Sequence, residues 1–138
     1  MSAILDTSIL INGWRPPAAL ESAISVVSLA ELHYGALATA DPVERAHRLG
    51  RLAIIEHEFE PVPVTGEVAR AYGLCASVVA NSGRNPRSRA FDLLIAATAL
   101  VMDARLYAHN VVDFRGLEQL VEIVVPELPE LPELPDPA

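Results

Sequence analysis

Lysine is absent from this chain: all ten basic residues are arginines, set against 18 acidic residues for a net charge of −8. A net acidic chain lacks the basic face that a general nucleic-acid binder carries. Any nucleic acid it handles must be met by local arginines and by metal ions. Cysteine is nearly absent too. Cys75 is alone, so no disulfide framework exists, and its helical surroundings read it as a small buried filler. No apolar run approaches the roughly 20 residues of a bilayer span. The opening MSAILDTS lacks the basic segment of a secretory signal. The expectation is a cytoplasmic protein with no membrane association.

What the chain does contain is enough apolar residue, 51% of 138, for one well-filled core. The charge is unevenly placed. Four acids (Glu127, Glu130, Glu133, Asp136) lie in the closing PELPELPELPDPA. Its Glu-Leu-Pro repeat reads as a polyproline-like or disordered tail over residues 126–138. Four others, Asp6, Glu31, Asp92 and Asp113, stand beside expected strand ends and helix starts. Without these two groups the arginines and acids balance.

Short apolar or β-branched runs predict strands at residues 3–5, 25–27, 61–64, 106–108 and 120–125. Helical patterning begins at residue 7, runs from Pro16-Pro17 through Ile24, and resumes over 29–38. Asp41-Pro42 is an N-cap with proline at the first helical position and opens a helix through Phe59. Two more helices are expected from Thr65 to about residue 81, and over RAFDLLIAATAL to Met102. Strands alternating with helices of this length predict an α/β domain over residues 1–125, its mainly parallel sheet covered on both faces.

That architecture gives the four acids one address. Asp6 ends the first strand, Glu31 and Asp113 follow later ones, and in a parallel sheet these positions share the edge where ligands bind. Asp92 joins them if its helix begins on that edge. Each acid alone has a plainer use: Asp6 and Asp113 as caps, Ser28-x-x-Glu31 as a capping box, Asp92 as a charge on a helix dipole. As a set they are costly. Two carboxylates about 4 Å apart repel by roughly 4 kcal/mol at an effective dielectric near 20. A hard divalent ion with oxygen ligands is the simplest remedy.

Four segments carry a resemblance. Leu5-Asp6-Thr7-Ser8, Ser28-Leu-Ala-Glu31-Leu-His-Tyr-Gly35, Asp92-Leu-Leu-Ile-Ala-Ala-Thr-Ala99 and Asn110-Val-Val-Asp113-Phe114 resemble, in order, the acidic motifs of PIN-domain ribonucleases. The nearest likeness is to VapC-type toxins of bacterial toxin–antitoxin pairs. The resemblance runs from Ile4 to about Val125 and implies a three-layer α/β sandwich. It also implies an endoribonuclease dependent on Mg²⁺ or Mn²⁺, with Asp6 and Asp92 as direct ligands and Glu31 and Asp113 direct or through water. Ser8 would support metal or substrate, and Asn110 would orient Asp113 or a phosphate. His109 departs from the threonine or serine of many relatives, which bears on the hydrogen bonding around the fourth acid.

The implied substrate is single-strand-accessible RNA, tRNA or rRNA, cut to leave a 5′-phosphate and a 3′-hydroxyl. Arg84, Arg87 and Arg89, in the loop before Asp92, and Arg15, after the first acid, are expected phosphate contacts. His33, His47 and His57 are expected on the surface. The resemblance further implies a homodimer, a VapB-like antitoxin lying across the acidic groove, and operator DNA bound only through that antitoxin. Helices 46–59 and 68–79 are the expected antitoxin face. Two alternatives stand beside this reading. One is another Mg²⁺-dependent phosphoryl-transfer or phosphatase domain, although Asp6-Thr7-Ser8 is no Asp-x-Asp pair. The other is an inactive interaction module of the same fold.

Overall fold

The computed structural model describes residues 2–127. The closing repeat beyond them, residues 128–138, lies outside the described residues. Strand β1 (Ser2–Leu5) leads into helix α1 (Thr7–Asn12), then β2 (Glu21–Ser25), α2 (Val26–Ala38), α3 (Pro42–Glu58), β3 (Pro61–Val62) and α4 (Gly66–Asn81). A 3-10 turn (Pro86–Arg89) precedes α5 (Ala90–Val101), β4 (Arg105–Tyr107), a second 3-10 turn (Val111–Phe114) and β5 (Ile123–Val124). All five strands pair in parallel, in the order β3-β2-β1-β4-β5.

The period-2 alternation of β1 divides the core. Ala3 and Leu5 face one side and pack with Ile9, Leu10, Ile24 and Ile55; Ile4 faces the other and packs with α4 and α5. The result is the expected three-layer sandwich. Cys75 is fully buried in the α4–α5 layer. His33, His47 and His57 are exposed, as expected.

The sequence reading misplaces one boundary. A helix was expected from Pro16 to Ile24, with a strand at 25–27. Instead a turn closes with Leu20 N–H donating to the Pro17 carbonyl (2.9 Å), and the strand is Glu21–Ser25. Ser22 and Ala23 sit opposite Ala3 and Ile4 of β1. Helix α2 starts at Val26 because the Ser25 hydroxyl accepts from Val27 N–H at 3.0 Å. The β-branched pair Val26-Val27 is therefore helical, local propensity yielding to the cap and to packing. Glu31 consequently lies in the second turn of α2 rather than in a capping box.

Chain direction fixes where the site must be. Only residues 102–104 separate the end of α5 from β4. The carboxyl end of α5 is therefore at the amino edge of the sheet, and its first turn, with Asp92, is at the carboxyl edge. The chain reverses its lateral progress at β1, which β2 and β4 flank, the place where open α/β sheets form their ligand crevice.

Candidate metal centre

Asp6 is the last residue before α1 and caps it. Its Oδ2 accepts from Ser8 N–H at 3.2 Å and from the Ser8 hydroxyl at 2.6 Å. It is 5% exposed. Burial raises its pKa above the ordinary carboxylate value; the Ser8 hydroxyl and amide and the Thr7 amide pull it back, and the charge of Asp113 adds to the rise. Ser8 Oγ also accepts from His109 N–H at 3.1 Å, joining the ends of β1 and β4. This contact uses the backbone of residue 109, so the departure at His109 leaves it intact. The His109 ring Nε2 is buried without a hydrogen-bond partner among the described residues.

Glu31 is held by a residue the sequence reading passed over. Thr7 Oγ1 lies 2.7 Å from Glu31 Oε1 and 3.0 Å from Ser28 Oγ. A hydroxyl has one proton, and the carboxylate can only accept it, so Thr7 donates to Glu31 and receives from Ser28. Burial raises the Glu31 pKa, the Thr7 hydroxyl lowers it, and the charges of Asp6 and Asp113 raise it further. No local pattern marks this contact, since the partners are 24 residues apart. The hydroxyl of Ser28 between Val27 and Leu29, and that of Thr7 beside Asp6, were the available signal.

Asp92, in the first turn of α5, is the most perturbed. Burial, then the charges of Asp113, Asp6 and Glu31, raise its pKa to about 7, against a smaller opposing effect of Arg89. Every pairing among the four acids thus carries a like-charge interaction. Asp113, in the turn after β4, accepts from Arg89 Nη1 at 3.2 Å. Asn110 is exposed and receives Asp113 N–H on its backbone carbonyl at 3.1 Å; its side chain makes no cap.

Among the described residues no three His, Cys, Asp or Glu side chains are placed so as to hold a metal ion together. The four carboxylates feel one another's charge without any three standing around a common point. The donor set is all carboxylate oxygen. It fits Mg²⁺ or Mn²⁺ held by one or two carboxylates, with water completing the shell.

The arginines divide. Arg84 and Arg89 both donate to the Val112 carbonyl, at 3.4 and 3.5 Å. Arg87 is exposed and forms no ion pair among the described residues. Arg15 pairs with Glu58 at the end of α3 and not with the four acids. Of the two helices expected to form a docking face, α4 turns Val68, Cys75 and Val79 into the core. Helix α3 joins α1 and α2 around a pocket of about 300 Å³, with Leu10, Ile11, Leu32, Leu52 and Ile55 on its apolar side and Glu31, Glu44, Arg48 and Arg51 in its wall.

Residues 3–116 match the PIN domain family. Ribonuclease VapC5 of Mycobacterium tuberculosis is 39% identical over 104 residues, spanning 71% of this chain and 75% of that protein. Among solved structures, VapBC-5 from Mycobacterium tuberculosis, a member of the VapBC family of toxin–antitoxin systems, superposes with a TM-score of 0.73 at 33% identity. The match covers 89% of this chain and 95% of that one. FitAcB from Neisseria gonorrhoeae shares the fold, with a TM-score of 0.72 at 22% identity over 88% of this chain and 95% of its own. The chain belongs to the PIN-domain family, as a relative of the VapC ribonucleases.

Proposed function

We propose that the protein is a metal-dependent endoribonuclease, the toxin of a toxin–antitoxin pair, and that Asp6, Glu31, Asp92 and Asp113 are its catalytic set. The observation that carries this reading is that burial, and then the charges of Asp113, Asp6 and Glu31, raise the Asp92 pKa to about 7 at the carboxyl edge of the sheet. A bound Mg²⁺ or Mn²⁺ supplies an attacking water of lowered pKa and stabilises charge on the leaving oxygen.

The chain's own residues do the rest. Asp6, its charge favoured by two donors from Ser8, and Asp92 would hold the cation directly, and Glu31 and Asp113 would do so directly or through water. Thr7 keeps the Glu31 carboxylate aimed at the crevice. Arg87, exposed on the loop ahead of α5, meets a phosphate flanking the scissile bond. Water oxygen bonds to phosphorus, the P–O3′ bond breaks, and the proton lost by the water is balanced by the one gained by the 3′-oxygen. The products are a 5′-phosphate and a 3′-hydroxyl.

The 33%-identical solved relative is a toxin–antitoxin complex, and this supports a VapB-like partner here. The pocket between α1, α2 and α3 receives an apolar segment of that antitoxin, beside Glu31. The same reading includes a homodimer, operator DNA reached only through the antitoxin, tRNA or rRNA as substrate, and a cytoplasmic location. No helix among the described residues is long and apolar enough to cross a membrane.

The test is purified protein incubated with tRNA and rRNA in Mn²⁺ or EDTA, beside Asp92→Asn. Cleavage leaving 5′-phosphates, dependent on Mn²⁺ and reduced at least about a hundredfold by the substitution, is expected. Cleavage that persists in EDTA or in Asp92→Asn contradicts the proposal.

A further inference from the structure

One of the four carboxylates already has a cation. Arg89 Nη1 stands 3.2 Å from Asp113 Oδ1. Among the described residues no ion pair involves Asp6, Glu31 or Asp92. The pair is only partly shielded, with side-chain exposures of 25% and 38%, so water competes for both partners and the bond is readily exchanged. The backbone beneath Arg89 is fixed. Asn85 Oδ1 accepts from Arg87 N–H at 3.1 Å and the Ser88 hydroxyl donates to the Asn85 carbonyl at 2.9 Å, pinning the turn that delivers Arg89 to the start of α5.

A guanidinium and a divalent ion seek the same carboxylate oxygens. The ion carries twice the charge on a smaller body and takes them when it arrives. The guanidinium then stays tethered at the margin of the crevice, still beside the Val112 carbonyl but without its carboxylate partner, and a phosphate matches its planar fork. We propose that Arg89 is the resident counter-ion of Asp113, displaced by the divalent cation and thereby handed to an RNA phosphate. This rests on the metal-nuclease reading above. Cation and oligonucleotide then strengthen each other's binding, and by linkage they do so equally.

Two titrations at pH 8 test this: calorimetry with Mn²⁺ alone, and anisotropy with a labelled phosphorothioate single-stranded RNA oligonucleotide, with and without Mn²⁺. Arg89→Gln is expected to bind Mn²⁺ about tenfold tighter than wild type and, in Mn²⁺, the oligonucleotide about tenfold more weakly. Asp113→Asn, which frees Arg89 outright, is expected to bind the oligonucleotide in EDTA at least about tenfold tighter than wild type, and it provides the same test independently of how well Arg89→Gln folds. Unchanged Mn²⁺ affinity in Arg89→Gln, or unchanged oligonucleotide affinity in Asp113→Asn, overturns the counter-ion role alone. A wild-type protein that binds no Mn²⁺ overturns the metal reading with it.

Discussion

Asp92 holds a proton that an unfolded chain would release. Its pKa lies at about 7 in the fold against an ordinary 3.8, so the native state binds more protons than the unfolded state between those values. Stability of the metal-free protein therefore falls as pH rises from about 4 to about 7. Asp92→Asn removes that penalty. In EDTA at pH 8 it is expected to melt a few degrees above wild type, and at pH 4, where Asp92 is already neutral, to melt alongside it. Calorimetry at the two pH values checks this; equal melting at pH 8 would show that neither burial nor the other acids disfavour the Asp92 charge. Thr7 acts at the same scale, through Glu31. Thr7→Val is expected to lower kcat about ten- to a hundredfold, with Thr7→Ser restoring most of it. Undiminished turnover in Thr7→Val would make the hydroxyl bond incidental.

Among the elements, helix starts were the most legible feature. Asp41-Pro42 and Thr65-Gly66 begin α3 and α4 where their residue types predict, each side chain accepting from an early helix amide. The β2–α2 boundary was not legible. Ser25-Val26-Val27 has strand character by composition, and only pairing with β1 and the buried Ser25 cap resolve it. Ser25→Ala is accordingly expected to destabilise the protein by about 1 kcal/mol or more, read from the urea midpoint; an unchanged midpoint would assign the α2 start to packing alone. Helix patterning could not tell an apolar stripe that meets the core, as in α4, from one beside an open pocket, as in α3. Ile11, 54% exposed on the pocket, and Leu74, 49% exposed on α4, separate the two. Ile11→Asp is expected to abolish co-purification with the cognate antitoxin and Leu74→Asp to leave it intact; the reverse would move the docking face to α4.

Over the whole molecule, the sequence order of the strands hides their spatial order. The first strand becomes the centre of the sheet, and residues as far apart as Asp6 and Asp113 come within electrostatic reach because β1 and β4 are neighbours. The acids were legible because chain topology alone brings strand ends and helix starts to one edge. The partners of Arg15 and Arg89 were not, since long flexible side chains choose among nearby carboxylates only once the fold is made. Glu58 takes the first and Asp113 the second. On this reading, four remote carboxylates share one electrostatic site that a divalent cation relieves. Carbon-13 titration of the side-chain carboxyls, with and without Mg²⁺, tests it most directly. Asp92 is expected to titrate near 7 without the ion and to move well down with it. An Asp92 that titrates near 4 under both conditions would contradict it.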